Sequence, residues 1–149
     1  MRYGTSRPDA VAQILGGAEA PQLTGCVCFY QENDCVLIVA RISGLPKENG
    51  TGFFGFHIHQ GGDCSGTVFS RTGNHYNPKE QMHPEHAGDL PPLLWCQGNA
   101  YLSVRTDRFS VKDIIGKTVV IHSDPDDFHT QPAGNAGKKI ACGVILKGR

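Results

Sequence analysis

The chain has 149 residues, and its 14 Lys and Arg residues balance its 14 Asp and Glu residues. A domain of this length buries most of the surface that its unfolded chain exposes, so we expect a single domain over residues 1–149. The balanced charge argues against a nucleic-acid partner, and no run approaches the roughly 20 apolar residues of a transmembrane helix.

The start of the chain and its cysteines indicate a compartment. The first ten residues, MRYGTSRPDA, are polar and contain no apolar core of a secretory signal. The 6 cysteines are irregularly spaced and fit neither a disulfide scaffold nor a zinc ribbon. Several unpaired thiols suit a reducing environment, so we expect a cytoplasmic location.

Short apolar runs, separated by 19 glycines and 9 prolines, predict β-strands and turns. In chain order the predicted strands are Ala10–Leu15, Gly25–Gln31, Cys35–Ile42, Phe53–His59, Asn99–Val104, Thr118–His122 and Lys139–Leu146. Seven or eight short strands without helical periodicity indicate an all-β sandwich or barrel. Residues 60–94 and 123–138 have little strand signal, and loops of this length are usually functional or disordered.

The fourth predicted strand carries two histidines on one face. His57 and His59 are two residues apart, and such side chains project to the same side of a strand, roughly 6.5–7 Å apart at the backbone. Phe54, Phe56 and Ile58 occupy the opposite face and anchor the strand in the core. Two imidazoles placed in this way can bind one metal ion, although an isolated pair could equally face solvent.

The loop that follows adds further metal-ligand types. His83, His86 and Asp89 form an H-x-x-H-x-x-D pattern, and His75 lies upstream in a glycine-rich stretch. Imidazoles with one carboxylate oxygen suit a borderline divalent ion, and a tetrahedral site needs four ligands. We therefore predict that His75 completes this set; an H-x-x-H pattern alone would more often be a polar loop.

A sixth histidine, His122, ends an apolar strand and is followed by a run of aspartates. Asp124, Asp126 and Asp127 could accept the spare N–H of a ligand imidazole, which fixes its tautomer and orientation. Taken singly, Asp124 and Asp127 are equally well explained as turn residues. Only His129 of the 7 histidines is left outside this constellation.

Five segments in this order resemble copper/zinc superoxide dismutase. The matching residues are GFHIH at 55–59, GNHYNP at 73–78, HAGDL at 86–90, IIGKTVVIH at 114–122 and GNAGKKIACGV at 134–144. The resemblance implies an all-β, immunoglobulin-like Greek-key sandwich or barrel of about eight antiparallel strands, with two long functional loops.

The resemblance also assigns roles to individual residues. It implies copper ligands at His57, His59, His75 and His122, and zinc ligands at His75, His83, His86 and Asp89. His75 would then bridge the two ions. Asp126 matches a residue that links a copper histidine to a zinc histidine, and Cys64 and Cys142 match an intrasubunit disulfide.

The function implied by the resemblance is that of an oxidoreductase. It would dismutate superoxide to dioxygen and hydrogen peroxide at a copper ion that cycles between Cu(II) and Cu(I), beside a structural zinc ion. Candidate partners beyond superoxide are a copper donor protein and a second copy of the chain. The apolar run Leu93–Trp95 belongs either to the core or to an exposed dimer surface.

Three features depart from the family pattern. Lys139 stands where the family has an arginine, and lysine keeps the positive charge but loses the planar, multi-donor guanidinium. We therefore expect weaker positioning of an anion. The loop from Asp127 to Gly134 is shorter than the family's charged loop, and His83 and His86 are closer together than usual.

Two other functions fit the same residues. One is a non-catalytic protein of this fold that buffers or delivers zinc or copper, since a fold alone does not determine function. The complete copper set argues for catalysis, because a zinc-binding relative could lose one of those ligands. The other is a zinc hydrolase, since an open zinc position activates water, but no general base is evident beyond the ligands.

Overall fold

The computed structural model describes residues 7–47 and 49–148, and in these ranges nearly all regular structure is β-strand. The strands are β1 Ala10–Gly16, β2 Thr24–Gln31, β3 Val36–Ser43, β4 Phe53–Phe54, β5 Phe56–His59, β6 Leu93–Leu94, β7 Ala100–Thr106, β8 Thr118–His122 and β9 Lys139–Lys147. A 3-10 helix spans Thr67–Thr72 and a short helix, α1, spans Val111–Ile114. Over the same ranges no helix has the length and apolar character needed to cross a membrane.

Seven of the strands form one curled antiparallel sheet that makes a half-barrel. Its seven strands follow the order β5-β8-β9-β1-β2-β3-β7, and β4 and β6 form a separate pair. Because β4 runs into the edge strand β5 and β6 precedes the other edge strand β7, this pair links the two edges of the sheet. The predicted all-β class is confirmed, and each predicted strand is present with its ends within two residues.

The predicted fourth strand is divided at Gly55. There the backbone leaves β4, which pairs with β6, and continues into β5, which pairs with β8. A side chain at Gly55 would place its Cβ 2.8 Å from the Cβ of Ala136 and 3.2 Å from that of His122. These segments of the chain approach each other so closely that position 55 requires glycine.

The core fills the concave side of the sheet. It contains the apolar side chains at alternating strand positions, among them Ala12, Ile14, Val27, Phe29, Ile38, Phe54, Phe56, Ile58, Ile121 and Ile145. Burial of a side chain such as Phe56 contributes about 1.5–3 kcal/mol to folding. The predicted inward face of the fourth strand is correct, but His57 and His59 on its other face are buried as well.

The loop after β5 covers that other face by pairing with β5 itself. Ile58 donates its N–H to the carbonyl of Gly88 at 2.9 Å and accepts from the N–H of Tyr76 at 2.8 Å. Short antiparallel bridges join His57 to Asp89 and His59 to His75. The strand that carries two of the predicted ligands thus positions two others through its own backbone.

A disulfide fastens the same loop to the last strand. Cys64 and Cys142 are bonded, with a sequence separation of 78 and Cα atoms 5.8 Å apart. This is the pairing that the family resemblance implied. It ties the beginning of the loop after β5 to β9, next to β8.

Candidate metal centre

The seven predicted ligands lie together at one side of the half-barrel and form two adjoining groups. In each group one nitrogen or oxygen atom per residue lies within 4.8 Å of all the others. We call them the four-histidine group, consisting of His57, His59, His75 and His122, and the Asp89 group, consisting of His75, His83, His86 and Asp89. His75 belongs to both.

Strand register explains why His122 joins His57 and His59. In an antiparallel pair, residues opposite each other point to the same face, and His57 lies opposite Val120, two residues before His122. His122 also donates its backbone N–H to the carbonyl of Gly55 at 2.8 Å. The pairing with β9 shifts between Ile121 and His122, and such irregularities are common beside active sites.

Two imidazoles of the four-histidine group bring their Nε2 atoms close together. Burial first, and then the neighbouring histidines, lower the pKa of His59 to about 2 and that of His122 to about 3, so both rings are neutral. Nδ1 of His59 donates to the carbonyl of Gly73 at 2.8 Å, which leaves a lone pair on Nε2. Nε2 of His59 lies only 3.2 Å from Nε2 of His122.

This separation fits a shared metal ion. Two nitrogens bound to one ion at about 2.0–2.1 Å with tetrahedral angles lie about 3.3 Å apart. A metal ion between the two rings needs a lone pair on both atoms. His59 offers one because its Nδ1 donates to Gly73. In the matching tautomer, Nδ1 of His122 faces the carbonyl of Gly137 at 3.5 Å. The donor set of the four-histidine group therefore fits a bound metal ion.

Asp126 fixes the tautomer of one histidine in each group. Its Oδ2 lies 2.8 Å from Nε2 of His57, and its Oδ1 lies 2.7 Å from Nε2 of His83. Burial acts to raise the pKa of Asp126, but the hydrogen bonds from both rings outweigh it and hold the pKa well below the usual range. A carboxylate only accepts, so each Nε2 carries the hydrogen. Nδ1 of each ring is buried and without a hydrogen-bond partner among the described residues.

His75 presents one nitrogen to each group. Its Nδ1 lies 2.8 Å from Oδ1 of Asp89 and 3.2 Å from Nδ1 of His86. Its Nε2 is buried and has no hydrogen-bond partner in the part of the chain that the structure describes. The ring centroid lies 4.0 Å from that of His57. An imidazole held between two ligand sets in this way can bind a metal ion on each side.

The carboxylate of Asp89 completes the second group. Burial acts to raise the pKa of Asp89, but the hydrogen bond from His75 and the surrounding histidines lower it overall, so the group is an anion. Its Oδ2 accepts the backbone N–H of His86 at 3.0 Å and lies 3.0 Å from Nδ1 of His83. Three imidazole nitrogens and one carboxylate oxygen are a common ligand set for zinc.

Lys139 lies at a cavity that reaches the four-histidine group. The cavity has a volume of about 320 Å³, and its walls include His59, His75, His122 and Lys139. The ammonium group of Lys139 donates to the hydroxyl of Thr72 at 2.8 Å and to the carbonyl of Gly73 at 3.0 Å. Burial lowers the pKa of this half-buried side chain. The predicted cation thus lies beside a solvent path to the histidines.

The other acidic and basic candidates lie outside the two groups. Asp127 accepts the backbone N–H groups of His129 and Thr130 at 2.9 and 2.8 Å, so it caps a turn. His129 is 81% exposed in its side chain and belongs to neither group. The alternative of a plain turn residue is therefore correct for Asp127, while Asp126 contacts the histidines.

Gly134 is a requirement of the site that sequence patterns did not indicate. It has a positive φ of 70°, and a Cβ on it would lie 2.1 Å from Oδ1 of Asp126 and 2.5 Å from Nε2 of His83. Any larger residue would push the loop away from this carboxylate. The GNAG motif that contains it is part of the family resemblance, but the sequence alone does not show why its first residue is glycine.

Fold and site together define a metalloprotein with two adjoining metal sites on an antiparallel half-barrel, with ligands suited to zinc and copper. The family model of copper/zinc superoxide dismutase (SODC) matches residues 23–145, and the chain belongs to this family. It is 38% identical to superoxide dismutase [Cu-Zn] 2 of Aquifex aeolicus, over 89% of this chain and 80% of that protein. It is 35% identical to superoxide dismutase [Cu-Zn] 3 of Arabidopsis thaliana, over 91% and 88%. The predicted family, enzyme class and cofactors are thereby confirmed.

Replacing Asp126 with asparagine tests its role in the site. An amide of the same shape accepts at one atom only, so it can hold only one of the two rings in the required tautomer. We expect the Asp126→Asn variant to bind both zinc and copper about 10- to 100-fold more weakly, as is typical when such partners are lost. Competition with chelators of known affinity measures this. The Asp107→Asn variant, altered at an exposed position, is the control; equal affinities in both variants would contradict the assignment.

Proposed function

We propose that the four-histidine group holds copper, that the Asp89 group holds zinc, and that superoxide is dismutated at the copper side. Two superoxide ions and two protons yield one dioxygen and one hydrogen peroxide. Bound copper supplies one-electron redox chemistry, and bound zinc supplies a fixed positive charge. The observation that carries this proposal is the position of His75, which offers one ring nitrogen to each group.

Access supports the choice of the copper side. The cavity beside Lys139 is bordered by His59, His75 and His122, three of the four rings in the four-histidine group, whereas His86 is the only residue confined to the Asp89 group that borders it. The carboxylate of Asp89 belongs to the other group. Its hard oxygen suits zinc better than the soft ion Cu(I). Superoxide therefore has a path to the all-imidazole group.

The chain contributes charge and proton transfer. Lys139 places its ammonium group at the cavity, where it attracts and orients an anion. Nε2 of His75 is buried, faces the four-histidine group and has no other hydrogen-bond partner within the described ranges. We assign to this atom the transfer of one of the two protons that the reaction consumes. The second proton comes from solvent through the cavity.

Stepwise metal loading tests the proposed function. We expect metal-free protein to take up zinc and copper in equal amounts and to gain superoxide dismutation only after copper is added, as measured by elemental analysis and by direct decay of superoxide. The His122→Ala variant should keep zinc but lose copper and activity, because His122 belongs to one group only. The His129→Ala variant, altered at the exposed histidine, is the matched control. Zinc uptake with neither copper uptake nor activity would instead support a non-catalytic metal-binding protein.

Substitutions of Lys139 test the role of the cation. The Lys139→Met variant should lose about tenfold in kcat/KM for superoxide, because charge at a site entrance raises association rates by about 10- to 1000-fold. The Lys139→Arg variant should gain activity, since the guanidinium offers several donors in a planar array. Lys138→Met is the control, because the Lys138 side chain is exposed and pairs with Glu19. No gain, or a loss, in the Lys139→Arg variant would count against this role.

We further propose that the chain forms a homodimer through β4 and β6. Phe53 and Leu94 pair across these strands and are 40% and 55% exposed, while Leu93 beside them is buried. Exposed apolar neighbours of this kind often mark interfaces. Light scattering should give the mass of a dimer for the native chain and of a monomer for the Leu94→Lys variant. The Leu15→Lys variant, altered at a comparably exposed leucine on β1, is the control. A native monomer would contradict the proposal.

A copper donor protein and a cytoplasmic location stay predictions from the sequence. The second depends on the opening residues, of which positions 1–6 lie outside the described residues.

A further inference from the structure

We propose that Gln131 and Arg108 are positioning residues for zinc, which hold the segment from His83 to His86 in the shape that its two histidines need. This inference rests on the proposed assignment of the Asp89 group to zinc. The two side chains reach the segment from different parts of the chain, Gln131 from the loop before β9 and Arg108 from the turn between β7 and α1.

The amide of Gln131 pairs with both backbone groups of His83. Its Oε1 accepts the N–H of His83 at 2.8 Å, and its Nε2 donates to the carbonyl of the same residue at 2.7 Å. Nε2 also donates to the carbonyl of His129 at 3.0 Å, within its own loop. Only the side chains of Gln and Asn combine a carbonyl acceptor with an NH₂ donor. Gln131 therefore bonds to the backbone N–H and carbonyl of His83 as the backbone of a neighbouring strand would.

The guanidinium of Arg108 holds the rest of the segment. One of its nitrogens donates to the carbonyl of Pro84 at 2.8 Å and to that of His86 at 3.0 Å. Arginine keeps its donors in a fixed plane, so less freedom is lost for each bond than with lysine. Together the two side chains bond to backbone groups of three of the four residues from His83 to His86.

The segment needs such support because it is short and irregular. Only Pro84 and Glu85 separate two ligands, and no helix or strand includes any of the four residues. Asp126 fixes the ring of His83 through Nε2, but a ring is placed correctly only if its backbone is. Asp126 and Gln131 come from the same loop, so this loop sets both the ring and the backbone of one ligand.

Zinc affinity of the full-length chain is the test for Gln131. The Gln131→Met variant keeps the approximate length of the side chain and loses all three hydrogen bonds. We expect its zinc affinity to fall about 10- to 100-fold, the range typical of residues that orient metal ligands. Gln131→Glu keeps the acceptor for the His83 N–H and loses the donors, so its loss should be intermediate. The Gln13→Met variant on β1, also altered at an exposed position, should bind zinc like the native chain.

Two further readouts separate positioning from general stability. The absorption spectrum of bound Co²⁺ should change in the Gln131→Met variant, because the spectrum reports ligand geometry, while thermal unfolding of the metal-free chain should shift little. Zinc affinity within twofold of the native value, in both Gln131 variants, would overturn the proposal. If the native chain itself takes up no zinc, the assignment of the Asp89 group fails as well, which distinguishes the two failures.

A double variant tests whether Gln131 and Arg108 support the same segment. Once one anchor is lost the segment is already free to move, so the second loss should cost less than it does alone. Each single variant, Gln131→Met or Arg108→Met, loses zinc affinity by some factor. We expect the double variant to lose zinc affinity by a factor well below the product of these two. A loss equal to that product would show that the two residues act independently, and would overturn the proposal that they jointly hold the segment from His83 to His86.

Discussion

The carboxylate of Asp126, buried between two imidazoles, is the interaction on which the metal centre depends. It accepts a hydrogen bond from Nε2 of His57 and another from Nε2 of His83, so one charge sets the tautomer of a ligand in each group. The bare nitrogens that result, Nδ1 of His57 and Nδ1 of His83, are buried and have no hydrogen-bond partner among the described residues. Burying these nitrogens without hydrogen-bond partners costs folding free energy, and a bound cation offsets that cost. Metal affinity and folding are therefore linked.

The backbone of β5 distributes the ligands around that carboxylate. Its side chains supply His57 and His59, and its pairing with β8 brings His122 to the same face. Its second edge pairs with the following loop, which brings in His75 and Asp89. A single strand of four residues thus positions five of the seven ligands by hydrogen-bond register, and register is strongly specified where a face is buried.

Much of this was predictable from alternation along the strands. The period of two placed His57 and His59 on one face and the phenylalanines on the other, and seven strands were located to within two residues. The break at Gly55 and the two-residue strand β6 were missed, because both arise from contacts between distant segments. The contacts of Gln131 and Arg108 were also missed, since a polar residue in a loop has no period from which its partner can be inferred. The disulfide followed from family resemblance and not from spacing.

The path of the loop before β9 depends on one glycine. To supply both Asp126 and Gln131, its backbone must fold back over the carboxylate, and the N–H of Asp127 does bond to the carbonyl of Gly134 at 2.9 Å. At that return point a Cβ would overlap with Oδ1 of Asp126. The backbone can therefore follow this path only because residue 134 has no side chain and tolerates a positive φ. A longer loop could take a wider path around Asp126. In this loop, the contacts of Asp126 and Gln131 with His83 therefore depend on the glycine at position 134.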